Sequence, residues 1–239
     1  MFEKIKCFIL DMDGTIYLGN ELFSFTKDFL KKVDETGRKY YFFTNNSSKS
    51  QQDYIEKLER FGIRIKRQQM MTSTHVISRY LKQHYEGKSV YVLGTPSLIQ
   101  EFQYFDMNLT EEDPDIVVLG FDTTLTYEKL SKACHYIRNG CIYFGINPDW
   151  NCPMEGGAFI PDCGSIAKLI EASTGRFPEF FGKPSKHTLD YIIQETGYEP
   201  DEIAIVGDRL YTDIAVADQS DVTSILVLSG ESTREDVKT

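Results

Sequence analysis

Short, continuously apolar runs alternate along this chain with stretches in which apolar residues recur every three or four positions. The runs predict strands over Cys7–Leu10, Lys39–Phe43, Ser89–Leu93, Asp115–Leu119, Cys141–Ile146, Glu179–Phe181, Ile203–Val206 and Ser224–Leu228. Several lack any apolar–polar alternation, as expected of strands covered on both faces. Between them, Tyr54, Ile55, Leu58 and Phe61 lie at helical spacing, and Gly62 suits the end of that helix. Leu130, Ala133, Cys134 and Ile137 repeat the pattern before Gly140, as do Leu189, Ile192 and Ile193 before Gly197. Strand and helix in alternation predict an α/β fold with a doubly wound, Rossmann-like parallel sheet.

Four of the predicted strands end in polar chemistry. FIL runs into Asp11-Met12-Asp13, YYFF into Thr44-Asn45-Asn46-Ser47, EFFG into Lys183-Pro184-Ser185 and IAIVG into Asp208-Arg209. Ligands of open parallel sheets bind outside the carboxyl ends of the strands, so four reactive edges imply one shared site. Strands of the middle third end mostly in Gly or Thr. The pattern predicts a discontinuous core over 1–72 and 180–239, with an α/β domain inserted over 73–179.

Composition narrows the function classes. The 239 residues suffice for one large domain or two modest ones. No apolar run approaches the roughly 18 residues of a membrane span. The amino terminus lacks the pattern of a signal peptide. The five cysteines form no C-x-x-C pair and no zinc-like cluster, which fits reduced thiols and a cytoplasmic protein. The net charge of −10 would repel a nucleic-acid backbone but leaves a small anionic substrate open.

Asp11 and Asp13, two apart on an extended segment, point the same way. Two carboxylates about 4 Å apart repel by roughly 4 kcal/mol at an effective dielectric near 20, worth about three pKa units. Such a pair needs a cation beside it, or one member protonated. Both solutions are useful: an ionised Asp11 is a nucleophile, and a protonated Asp13 is an acid that can later act as a base. Thr44 to Ser48 either cap the helix that follows or hold a phosphate at its N-terminus. Lys183 either faces solvent or neutralises phosphate and nucleophile charge. Asp208 and Asp213 either cap a helix or complete an oxygen-only metal shell, for which Mg²⁺ is the natural occupant. Each motif alone favours the plainer reading. Four of them at predicted strand ends favour a catalytic centre.

In this order, D-x-D-G-T, a Thr-Asn loop, G-K-P and G-D-x-x-x-T-D resemble the haloacid dehalogenase (HAD) superfamily of phosphatases over almost the whole chain. The position of the insert, and the stretches FFTNNSSKS, INPD, GSIAKLIEASTGR and GDRLYTDI, resemble its NagD-like and 4-nitrophenylphosphatase-like branch, with a large α/β cap. The resemblance implies Asp11 as nucleophile and Asp13 as acid/base, with Thr44 and Lys183 completing the catalytic set. It implies Mg²⁺ held by Asp11, the backbone carbonyl of Asp13 and Asp208, supported by Asp213. Thr44, Asn45, Asn46 and Lys183 would then bind the phosphate of a small phosphorylated metabolite, and cap closure would exclude water.

Specificity is expected from residues 146–157, INPDWNCPMEGG, with Asp149, Trp150 and Cys152 as substrate contacts. The cap is also a candidate homodimer surface. Three rival classes use similar parts: a receiver-type phosphoacceptor module, a phosphotransferase or mutase, and a non-catalytic protein that keeps the fold. The second carboxylate of D-x-D-G-T and the large insert argue against the first.

Overall fold

The computed structural model describes residues 3–154, 157–218 and 220–238. In chain order these form β1 (Cys7–Leu10), the short pair β2 (Tyr17–Leu18) and β3 (Glu21–Leu22), α1 (Thr26–Glu35), β4 (Lys39–Thr44), α2 (Gln51–Arg60) and β5 (Met70–Thr72). Next come α3 (Ser73–His84), β6 (Val90–Leu93), α4 (Pro96–Tyr104), β7 (Ile116–Leu119), α5 (Tyr127–Arg138) and β8 (Ile142–Gly145). The antiparallel pair β9 (Asn151–Pro153) and β10 (Phe159–Pro161), α6 (Cys163–Thr174) and β11 (Glu179–Phe180) follow. The chain continues through α7 (Lys186–Thr196), β12 (Ile203–Gly207) and β13 (Thr223–Leu226).

The chain divides into two compact units. One comprises Met1–Thr44, Tyr54–Met71 and Lys183–Thr239; the other comprises Asn45–Asp53 and Thr72–Gly182. The first unit's sheet has the order β13-β12-β1-β4-β5, with β1 parallel to both β12 and β4. The chain leaves β1 on one side through β4 and β5 and returns on the other through β12 and β13. The order therefore reverses beside β1, the place where α/β sheets bind ligands. Leu10 lies opposite both Val206 and Phe42, so the three central strands end within two residues of one another. Their apolar residues pack with Leu30 and Val33 of α1 and Tyr54 and Leu58 of α2.

The second unit has its own parallel sheet, in the order β11-β8-β7-β6. β6 and β7 are buried along their whole length. Ala133 and Ile137 of α5 and Ile166, Ala167 and Ile170 of α6 pack against Leu93, Val117 and Leu119. Asp162 caps α6 by accepting the Cys163 N–H.

The α/β class and the parallel sheet agree with the pattern of apolar runs. One placement differs. The run at Glu179–Phe181, read as feeding the same sheet as the other three reactive ends, pairs instead with β8 in the second unit, and Lys183 then enters the first unit. An apolar run identifies a strand but not the sheet it joins, since both sheets here are covered on both faces.

Candidate active site

Asp11 leaves β1 with its N–H bonded to the Val206 carbonyl of β12 at 2.8 Å. The neighbouring strand therefore fixes the start of the acidic segment. The chain then turns at once: the Gly14 N–H donates to the Tyr17 carbonyl at 2.8 Å, and Gly14 has φ +85°. This is the left-handed region, which residues other than glycine rarely enter. A Cβ at Gly14 would also lie 2.4 Å from Asp208 Oδ2. The glycine of D-x-D-G-T thus serves both the turn and the close approach of Asp208.

Lys183 is 2% exposed and ties the centre together. Its Nζ lies 2.6 Å from Asp11 Oδ1 and 2.5 Å from Asp213 Oδ1. It also donates to the Phe43 carbonyl at 3.4 Å. Burial works against the charged lysine, but Asp11 and Asp213 outweigh it and raise its pKa above the ordinary value. Asp213 sits in a turn of π-helix, Leu210–Ile214, and its other oxygen accepts the Arg209 N–H at 3.1 Å. Asp208 is 2% exposed, and its Oδ2 accepts the Glu231 N–H at 2.7 Å. A Cβ at Gly230 would lie 2.0 Å from that oxygen, so this loop too passes against the carboxylate.

Asp11, Asp208 and Asp213 offer carboxylate oxygens that all lie within 4.8 Å of one another. Burial pushes the Asp11 carboxyl well up; Asp213 and Asp208 add to this, while Lys183 pulls it back. Burial, with Asp213, pushes Asp208 up to about 6 against the Glu231 N–H, Arg209 and Lys183. One lysine therefore does not neutralise three converging carboxylates. The excess negative charge and the all-oxygen donor set fit a hard divalent cation.

Asp13 faces a different group. Tyr17 donates its hydroxyl to Asp13 Oδ2 at 3.2 Å, and Lys57 Nζ is 3.9 Å from Oδ1. Lys57 also lies 3.8 Å from the centre of the Tyr17 ring. Sequence reasoning missed both partners. Tyr17 follows Asp13 by four residues and was available; Lys57 is one of many lysines on a helix and gave no signal.

Thr44, the last residue of β4, is buried. At the start of the helix beyond it, Ser50 and Asp53 exchange hydrogen bonds. Asn45 and Asn46, expected at the phosphate, are engaged within the second unit by Asp149 and Cys152, both expected at the substrate. Trp150 is 47% exposed, so it does not pack the core of its unit. Of the expected specificity loop 146–157, Glu155 and Gly156 lie outside the described residues. The five cysteines are free thiols. Among the described residues no helix is long and apolar enough to cross a membrane.

A parallel sheet with three converging carboxylates and a buried lysine beyond its carboxyl edge has the donor set to hold a divalent cation beside a bound ligand. Comparison with known proteins places it more closely. Residues 8–108 match the haloacid dehalogenase-like hydrolase family, and residues 180–239 match a HAD-hydrolase-like family. An acid sugar phosphatase of Staphylococcus aureus (strain MRSA252) is 34% identical over 237 residues, covering 99% of this chain and 91% of its own. The 4-nitrophenylphosphatase of Thermotoga maritima superposes with a TM-score of 0.95 at 43% identity, over 99% of this chain and 91% of its own. NagD of E. coli K-12 superposes with a TM-score of 0.89 at 31% identity, over 98% and 92%. The chain belongs to the HAD superfamily, in its NagD-like and 4-nitrophenylphosphatase-like branch, and is a HAD-type phosphatase.

Proposed function

We propose that this phosphatase hydrolyses the phosphate monoester of a small metabolite, a sugar phosphate first among candidates, through a phosphoryl group carried on Asp11. The observation that carries the reading is the paired contact of Lys183 with Asp11 and Asp213 inside a cluster of three carboxylates. Lys183 orients the Asp11 carboxylate, and its charge offsets the phosphoryl oxygens as they approach. An Asp11 oxygen attacks phosphorus and the bond to the leaving oxygen breaks. That oxygen takes its proton from Asp13, which Tyr17 and Lys57 hold in place. Water then attacks the same phosphorus, returns a proton to Asp13 and frees Asp11 and inorganic phosphate.

Mg²⁺ is the proposed ion, held by Asp11, Asp208 and the backbone carbonyl of Asp13, with Asp213 supporting. When bound, it supplies positive charge to the transferring phosphoryl group. Thr44 and the peptide N–H groups after it position the phosphate. The sugar class is supported by the name of the Staphylococcus aureus relative.

Phosphate release from 4-nitrophenyl phosphate and from a panel of sugar phosphates and nucleoside monophosphates tests this reading. Turnover is expected with Mg²⁺, with a preference within the sugar phosphates. It should vanish in EDTA and in Asp11→Asn. Full activity in Asp11→Asn would falsify the mechanism, and transfer to an added alcohol without phosphate release would reassign the protein as a phosphotransferase.

A further inference from the structure

Three successive residues after Thr44 are each tied to the loop after β8 or to β9, which follows it. Asn45 Nδ2 donates to Asp149 Oδ2 at 2.9 Å, Asn46 Nδ2 to Cys152 Sγ at 3.9 Å, and Ser47 Oγ to Asn147 Oδ1 at 2.7 Å. A second layer of bonds lies behind them. Asn147 Nδ2 donates to Asp149 Oδ2 at 2.9 Å and to Asp162 Oδ1 at 3.0 Å. The Phe121 N–H donates to Ser47 Oγ at 2.8 Å, and Ser73 Oγ donates to the Asn45 carbonyl at 2.8 Å. Asn45, Ser47, Asn147, Asp149 and Asp162 are all buried.

Asp149 is the joint of this network. It is 2% exposed, and one of its oxygens accepts amide donors from two segments about a hundred residues apart. A buried carboxylate requires such donors, and the loss of either weakens its compensation. Asn45 is gripped from several sides. Its Nδ2 is committed to Asp149, its carbonyl to Ser73, and its Oδ1 packs where a Cβ at Gly182 would lie 2.7 Å away. An amide held in this way fixes its own backbone. The next residue in the specificity loop, Trp150, is half-exposed. Along two consecutive residues, one therefore faces the buried network and the other faces out.

We propose that Asp149 is a positioning residue for phosphate recognition. Through Asn45 and Asn147 it sets the peptide N–H groups that follow Thr44, and so couples the loop that carries Trp150 to the grip on phosphate. The inference rests on the phosphatase reading above, and it reassigns Asp149 from contacting substrate to holding the phosphate loop.

The test is an exchange of donor and acceptor. Asp149→Asn, Asn45→Asp and the double exchange are compared with the wild type. The readouts are the affinity for inorganic phosphate with Mg²⁺ by calorimetry, KM for 4-nitrophenyl phosphate and for a hexose phosphate, and the thermal midpoint. Asp149→Asn keeps the shape of the side chain and guards against misfolding of Asn45→Asp, which sets two carboxylates face to face. Each single variant should bind phosphate about tenfold more weakly, the loss of one charge-assisted bond, and raise both KM values alike. The double variant should recover most of this, since amide and carboxylate then face each other again with their places exchanged. Unchanged phosphate affinity in folded Asp149→Asn would overturn the proposal, as would a KM change confined to one substrate. So would weakening that follows the thermal midpoint and is not rescued. Calorimetry needs no turnover, so a failure of the catalytic reading would show separately, as phosphate binding without hydrolysis in the wild type.

Discussion

Lys183 is buried between two carboxylates, 2.6 and 2.5 Å from its nitrogen. Removing one member of a buried, hydrogen-bonded ion pair strands the charge of the others. Lys183→Met is therefore expected to lose about 3–5 kcal/mol of stability in metal-free protein near neutral pH, measured by urea unfolding. Added Mg²⁺ should return part of it, because the cation meets the same excess negative charge. A variant as stable as the wild type would mean that the carboxylates shed their charge by taking up protons instead. At this scale the sequence was most legible where chemistry and backbone constraint coincide. Asp11, Asp208 and Lys183 were each marked by a strand end or a glycine and Asp213 by its place in G-D-x-x-x-T-D, and they meet in one cluster. The bond from Ser47 to Asn147 was not legible, since the residues stand 100 positions apart and neither interrupts a pattern. Asn45 and Asp149 were picked out one at a time as ligand contacts, yet they bond to each other.

Among the elements, α4 shows how a cap can serve a neighbouring loop. Thr95 accepts the Leu98 N–H at 3.2 Å, with Pro96 opening the helix. Its hydroxyl also donates to the Ser48 carbonyl at 2.8 Å. Thr95→Ala should cost about 1 kcal/mol for the lost cap and somewhat more for the carbonyl left without its donor. Thr95→Ser should retain most of both, and thermal midpoints of the pair decide it. The strands that escaped prediction share a physical reason. β2 and β3 have two residues each, β5 has three and no alternation, and β9 and β10 carry prolines and a mixed pattern, so none fills a window long enough to show a period. The long apolar runs were found within a residue or two of their observed ends. The sheet that β11 joins was not readable, because pairing partners are chosen by tertiary packing.

For the whole molecule, the centre makes stability depend on pH in an unusual direction. Asp11 and Asp208 have folded-state pKa values above the ordinary carboxylate value, so the folded protein binds more protons than the unfolded chain between about pH 4 and pH 6. Their contribution is thus fully present at low pH and is lost as the pH rises through about 6. Asp115, held down to about 2 by the Lys88 side chain and the Ser89 N–H, acts in the opposite sense, but only at more acid pH. In EDTA, unfolding free energy should fall from about pH 4.5 to about pH 7.5, and Asp208→Asn should flatten the curve. With Mg²⁺ the fall should shrink, because an ion that binds only the folded state adds most where the carboxylates are charged. A metal-free curve that rises over this range would contradict the burial-driven shifts.

The order β13-β12-β1-β4-β5 has a consequence for synthesis on the ribosome. β1 is made first, but one flanking strand and the buried lysine come from the far end of the chain, with Lys183 172 positions after Asp11. At about 5–20 residues per second, the nascent acidic segment waits roughly 10–30 s for its counter-charge. The second unit, whose sheet is closed by residues between 90 and 180, is complete earlier and has every pairing partner in hand. The unit that carries β1 is therefore expected to complete its fold after the other, once β12 and then Asp208 and Asp213 have followed α7 out of the exit tunnel.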